Sequence, residues 1–187
     1  MKILILTAIA EEFGTLHTSK HEICIVYTGV GKVAAAVSAF KALKDEHFDL
    51  VLNVGTAGSK NLPVGSIVTA VDFTDRDMES AADFGACWQL STKHSVSPRI
   101  LSLFQPQAMC NTGDRFVTGQ TRSEGDVFDM EAFAEATVCL QLQQPFLSVK
   151  YVSDRIGENS AKGWKEMLQE ARIALENHME KLMEKLP

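Results

Sequence analysis

The chain lacks the paired cysteines that a metal centre or a disulfide frame needs. Cys24, Cys87, Cys110 and Cys139 lie far apart, with no C-x-x-C pair and no histidine at zinc-ligand spacing. Free thiols in a reducing compartment are expected, and neither a metal nor a cofactor is. A basic excess is missing too: 18 Lys and Arg stand against 24 Asp and Glu, a net charge of −6. That balance argues against nucleic acid and anionic membrane as partners. There is no internal repeat, no low-complexity tract and no Pro/Gly/Ser-rich linker, and the five prolines are scattered. The opening MKILILTAIAEEF has a short apolar run, but Glu11 and Glu12 follow it and no small-residue cleavage site appears. It reads as the first strand of a cytoplasmic protein. His17 and His21 share helical spacing in HTSKH, yet in a polar surface segment they read as solvated histidines.

What is present is an ordinary globular composition, 45% hydrophobic and 22% charged over 187 residues. A chain of this length buries about 70% of its unfolded surface in one domain, so residues 1–187 are expected to form a single unit. Three apolar, β-branched runs predict buried strands: KILILTAI at the start, LVLNVGTAG from Leu50 and FLSVKYVSD from Phe146. Shorter strands are expected at EICIVYTG, GSIVTAVDF and CNTGDRFVTG. Helical patterns fill residues 31–47, the run MEAFAEATVCLQLQ from Met130, and an amphipathic stretch from Gly163 with Trp164, Leu168, Ile173, Leu175, Met179, Leu182 and Leu186 near one face. Residues 91–107 read as a loop with a short helix near Pro98. Strands alternating with helices predict an α/β sandwich around a mostly parallel sheet.

The stretch VFDMEAFAEATVCL poses the sharpest question: an acidic pair, Asp129 and Glu131, opens an otherwise apolar helical run. A carboxylate entering a core costs several kcal/mol unless it is paired or hydrogen-bonded. Either the pair caps the helix or it faces a ligand. In YTGVGKVAAA, Gly-Val-Gly-Lys suggests a phosphate loop, but the glycine spacing is wrong and Val33 stands where Ser or Thr would hold magnesium. A packing turn whose amides can line a pocket is the better reading. NVGTAGS puts small residues just past a strand, where α/β sheets place ligands. VSDRIGENS puts Ser153 and Asp154 at another strand end, as cap or as general acid. AIAEEF puts Glu11 and Glu12 at a third, and alone they read as a surface pair. Taken together, acids converge at one sheet edge with little Lys or Arg beside them, which suits glycosidic bond cleavage.

AIAEEF, TGVGKVAAA, LNVGTAGS followed by LPVGSIV, TGDRFVTG, DMEAFA and VSDRIGE, in that order over roughly residues 1–160, resemble the nucleoside phosphorylase superfamily and within it the 5′-methylthioadenosine/S-adenosylhomocysteine nucleosidases. The resemblance implies a three-layer α/β/α sandwich with a mixed, partly barrel-like central sheet, a homodimer, and a small-molecule purine nucleoside as partner. It implies that Glu12 activates water and that Asp154, assisted by Ser153, protonates N7 of the departing purine. It implies that Glu131 anchors the ribose hydroxyls over Met130, that Phe116 stacks on the base, that the Val117 backbone meets its edge, and that Thr56 lies beside the ribose. Asn53, Asp129, Lys150 and Phe84 are the expected supporting residues. Asn53 and the acids Glu11 and Glu12 stand where the phosphorylase branch has arginines for phosphate, so water is the expected nucleophile. Phosphorolysis, a futalosine-type hydrolase and a catalytically impaired nucleoside binder are the alternatives. The chain departs from the family in a short stretch after Glu12, in an abbreviated segment over residues 81–98, and in Lys150 where an arginine is usual, which keeps charge but not the two-pronged geometry.

Overall fold

The computed structural model describes residues 1–117, 124–157 and 160–187. In chain order the elements are β1 Lys2–Thr7, β2 Glu22–Tyr27, α1 Lys32–Leu43, β3 Leu50–Ser59, β4 Ile67–Asp75, β5 Gln89–Ser91, α2 Pro98–Leu101, β6 Gln107–Thr112, β7 Val127–Asp129, α3 Ala132–Gln141, β8 Phe146–Arg155 and α4 Ser160–Lys185. The three apolar runs are β1, β3 and β8, adjacent and parallel at the centre. Their runs are continuous because both faces are covered. Along β1, Ile3 and Ile5 pack toward α2 and α4, while Leu4 and Leu6 pack toward α1 and α3.

The expectation of a mostly parallel sheet holds only in part: among the described residues five strand pairings are parallel and three antiparallel. The departure follows from strand length. β1 pairs with only Leu50 to Asn53 of the ten-residue β3, so the far half of β3 projects past it and pairs with β7 instead, Gly58 opposite Phe128. β8 pairs with β3 along one edge and antiparallel with β4 along the other. The ring β3-β7-β6-β4-β8 thereby closes into a five-stranded barrel, with β1, β2 and β5 as wings. Helices cover both sides, giving the three-layer architecture of the nucleoside phosphorylase type.

Several boundaries differ from the sequence reading. The helix expected from Met130 starts at Ala132, and Val-Phe-Asp before it is the strand β7. The strand expected over CNTGDRFVTG ends at Thr112. On α4 the buried face runs through Ala171, Leu175, Met179, Leu182 and Met183, while Ile173 points to solvent. Two residues from Leu175 on a helix is the opposite side, so Ile173 never belonged to that stripe. His21 is not solvated: its ring bonds the chain's amino terminus at 3.2 Å and the Met183 carbonyl at 2.9 Å. No helix among the described residues is long and apolar enough to cross a membrane.

Candidate active site

The carboxyl ends of β1, β3, β7 and β8 and the loop after β6 meet around a cavity of about 660 Å³, its mouth included. Glu12 enters from the turn after β1. Its carboxylate accepts the Thr56 amide N–H at 3.2 Å and the Thr56 hydroxyl, and that hydroxyl in turn accepts the Trp164 indole N–H at 2.8 Å. Only 6% of Glu12 is exposed. Burial pushes its pKa up, the Thr56 hydroxyl and the Lys150 charge pull it back, and the net direction is upward. The small residues of NVGTAGS are explained by space. A Cβ on Gly55 would lie 2.9 Å from Glu12 Oε2, and one on Gly58 would lie 3.0 Å from Asp154 Oδ2.

The acidic pair of DMEA divides its labour. Asp129 caps: Oδ2 accepts the Ala132 N–H at 2.8 Å, opening α3, and the Lys150 ammonium lies 2.8 Å from the same atom. Its Oδ1 accepts the Thr112 hydroxyl at 2.6 Å. Burial raises the Asp129 carboxyl, but the Lys150 charge and the hydrogen bonds from Lys150, Thr112 and Ala132 together outweigh it and the net shift is down. Lys150, fully buried, is lowered by burial and raised more strongly by Asp129, Cys110 and Glu131. Glu131 instead faces the cavity, held by the Gly31 N–H at 2.9 Å. Burial and the Asp129 charge raise its pKa to about 7. One turn on, Glu135 is completely buried with no hydrogen-bond partner for either oxygen, and burial raises it to about 8. Asn53 is near enough to favour its charged form slightly.

Asp154 and Ser153 both line the cavity, which strict strand alternation forbids. A bulge resolves this: Val152 sits opposite Ala57 and Asp154 opposite Gly58, so Ser153 is the extra residue. Ser153 Oγ donates to Asp154 Oδ1 at 2.8 Å, fixing the carboxyl. Phe116, Val117, Met130, Phe128 and Ile156 supply apolar wall.

Of the expected residues, Glu12, Thr56, Phe116, Val117, Asp129, Met130, Glu131, Ser153 and Asp154 line this one cavity. Three do not. Lys150 lies beneath it, bonded to Asp129. Asn53 is on the buried part of β3, where its Oδ1 accepts from Ser148 Oγ at 2.6 Å. Phe84, in a 3-10 turn over residues 79–84, is 90% exposed and away from the cavity of this chain. The last two residues of TGDRFVTG and Glu158 of VSDRIGE lie outside the described residues.

Sequence reasoning missed Trp164, Arg76 and Arg115 on the wall. Trp164 was legible only as an apolar helix residue. Its ring meets Phe116 edge to face at 5.8 Å. Arg76, at the end of β4, carried no motif. Its guanidinium donates to the carbonyls of Asn111, Gly113, Arg115 and Asp129 at 2.7 to 3.0 Å, tying the Phe116 loop to the Glu131 segment. Among the described residues no group of His, Cys, Asp or Glu is placed to hold a metal.

Comparison with known proteins places this geometry. A family model described as "Phosphorylase superfamily" matches residues 7–186. The 5′-methylthioadenosine/S-adenosylhomocysteine nucleosidase of Bacillus subtilis (strain 168) is 27% identical over 186 residues, covering 87% of this chain and 80% of that protein. The S-adenosylhomocysteine nucleosidase of Streptococcus pyogenes, solved with 5-methylthiotubericidin, superposes with a TM-score of 0.83 at 22% identity, covering 100% of this chain and 98% of that one. A futalosine hydrolase mutant of Helicobacter pylori strain 26695 superposes with a TM-score of 0.84 at 19% identity, covering 99% of each chain.

Proposed function

The chain belongs to the phosphorylase superfamily, and on that premise we propose that it is a purine nucleosidase, hydrolysing the N-glycosidic bond of a methylthioadenosine- or adenosylhomocysteine-like nucleoside to free base and a ribose derivative. One observation carries the reading: Glu12, Glu131 and Asp154, from three distant segments, line a single partly apolar cavity. Cleavage at C1′ builds positive charge on the sugar and negative charge on the base. A carboxylate at the ribose and a proton donor at N7 act where those charges develop.

In this mechanism Glu131 accepts hydrogen bonds from the 2′- and 3′-hydroxyls over Met130, while Phe116 stacks on the purine and the Val117 backbone meets its edge. As the C1′–N9 bond breaks, its electron pair passes into the base and Asp154, oriented by Ser153, gives its proton to N7. Water adds to C1′ and its proton passes to Glu12. Met130, Phe116, Phe128 and Ile156 keep further water from the cation.

Water rather than phosphate is the nucleophile in this proposal because Lys150 and Arg76, two of the cations at the cavity, are engaged, which leaves Arg115 on the wall. Lys150 is held by Asp129, and the Arg76 donors are directed at four carbonyls. An incoming phosphate would face Glu12 and Glu131 instead. The futalosine-type reading has one support, the fold shared with that hydrolase. Incubation with methylthioadenosine, adenosylhomocysteine, adenosine, inosine and futalosine, with and without phosphate, decides among these. Base release independent of phosphate is expected from the first two, and a strict phosphate requirement sinks the hydrolase reading. Adenine binding without turnover of any substrate leaves only the impaired binder. Asp154→Asn should abolish turnover with the fold intact.

A homodimer completes the proposal. Val33, 76% exposed, continues with Val37 and Phe40 as an apolar stripe on α1, and Tyr27 and Val30 extend it. Such a stripe fits burial against a second copy. Light scattering on the purified protein should give twice the chain mass. The free cysteines fit a reducing cytoplasm.

A further inference from the structure

We propose that Trp164 is a positioning residue for Glu12, acting through the Thr56 hydroxyl; the proposal rests on the nucleosidase reading for Glu12's role in catalysis. The geometry is a two-bond relay. The Trp164 indole N–H donates to Thr56 Oγ1 at 2.8 Å, and Thr56 donates its own hydroxyl proton to Glu12 Oε1, beside the Thr56 amide N–H at 3.2 Å on the same oxygen. An indole nitrogen can only donate, and a hydroxyl carries a single proton. With Trp164 donating to its oxygen, Thr56 directs that proton at the carboxylate, and each bond polarises the next. Thr56, expected beside the ribose, is thereby committed to the nucleophile side of the cavity.

The consequence is chemical. Glu12 works as a base only when ionised, and burial opposes ionisation. The charged groups that influence it are Lys150 of β8, which favours its ionised form, and Glu131 at the start of α3, whose carboxylate it repels. Neither donates a hydrogen bond to it. Thr56 supplies both bonds that meet hydrogen-bond geometry on the Glu12 carboxylate among the described residues, and the Trp164 N–H orients the hydroxyl bond while itself lying close enough to favour the ionised carboxylate. The indole ring also packs edge to face on Phe116 with an interplanar angle of 62°. The helix α4 that carries Trp164 therefore reaches the base-binding wall and the nucleophile base with one side chain.

Trp164→Phe separates the two contacts, keeping an aromatic edge for Phe116 while removing the N–H. Ionised Glu12 then loses support, so the acid limb of kcat/KM should move up by about one pH unit. That is a loss approaching about tenfold on the acid side of the limb that fades at pH values above it. Thr56→Val breaks the same relay at its middle, so Trp164→Phe in that background should cost little more. A uniform loss at every pH, an effect on KM alone, or full additivity of the two substitutions overturns the proposal. If the wild type cleaves no nucleoside, the nucleosidase reading fails and the relay is read without activity. The Trp164 emission, obtained by subtracting the spectrum of the Phe variant and so of Trp88, should show a titration step that Glu12→Gln abolishes. A step that persists, or none at all, overturns the relay.

Discussion

At the floor of the cavity Asp129 is bound by Lys150, the Thr112 hydroxyl and the Ala132 amide, and Glu131 by the Gly31 amide, all within 3 Å, the Asp129 contacts buried and the Glu131 one partly so. At its roof Phe116 is 46% exposed and meets Trp164 only edge to face. The floor gathers three carboxylates around one ammonium in a medium where each unpaired charge is costly. The roof is a contact between rings, worth about 1 kcal/mol beyond the area it buries. Substitutions in the floor should therefore be read first in stability, and substitutions in the roof in substrate affinity.

The largest expected effect is at the floor. Lys150→Met leaves Asp129 without its counter-ion and removes the positive charge that Glu131 and Glu135 also feel. Breaking a buried pair from one side costs about 3 to 5 kcal/mol, which for a chain of this size lowers Tm by roughly 10 °C. Base release should fall with it. A differential scan within about 2 °C of the wild type would show that the floor is not held by charge. Lys150→Arg keeps the charge and should recover most of the stability.

A smaller and pH-dependent effect is expected one turn along α3. Glu135 has a pKa of about 8 in the folded chain against an ordinary 4.5. The folded state therefore holds its proton where the unfolded state releases it. Stability from this group is fully present below about pH 4.5 and is lost progressively as pH rises to about 8, by at most about 5 kcal/mol. Glu135→Gln should flatten the decline of Tm between these limits and raise Tm at pH 8 by several degrees, with little change at pH 5. Glu131, at about 7, contributes a residual slope of the same sign. Parallel Tm profiles for the two proteins would show that Glu135 is ionised in the folded state.

The floor was the more legible half, and the reason is physical. Strands covered on both faces must be continuously apolar, so β1, β3 and β8 stand out in the sequence, and acids at their ends are conspicuous against them. Barrel closure was not legible. It depends on β7, three residues long and too short to show a period, and its partner Gly58 lies some seventy residues away. The bulge that turns both Ser153 and Asp154 inward is likewise a property of pairing with β3 and not of VSDRIGE itself. Trp164 and Arg76 escaped for a related reason. An apolar ring on an amphipathic helix and an arginine after a strand look the same whether they face water or a cavity. The division between Asp129 and Glu131 was posed correctly but could not be settled, because the question of cap or ligand needs the direction of two side chains two residues apart.

The smallest effect on stability, and the cleanest on function, is expected at the roof. Phe116→Ala removes the proposed stacking surface and the edge contact with Trp164, yet Phe116 is half exposed and belongs to neither buried core cluster. Loss of base stacking costs about 1 to 3 kcal/mol, so KM for methylthioadenosine should rise between about fivefold and a hundredfold. The Glu12, Glu131 and Asp154 carboxylates are untouched, so kcat should fall far less than kcat/KM, and Tm should stay within about 2 °C. A Tm loss comparable to that of Lys150→Met, with KM unchanged, would reverse the comparison. Phe116 would then brace α4 through Trp164, and the purine would have to be held by the Val117 backbone and Asp154 alone.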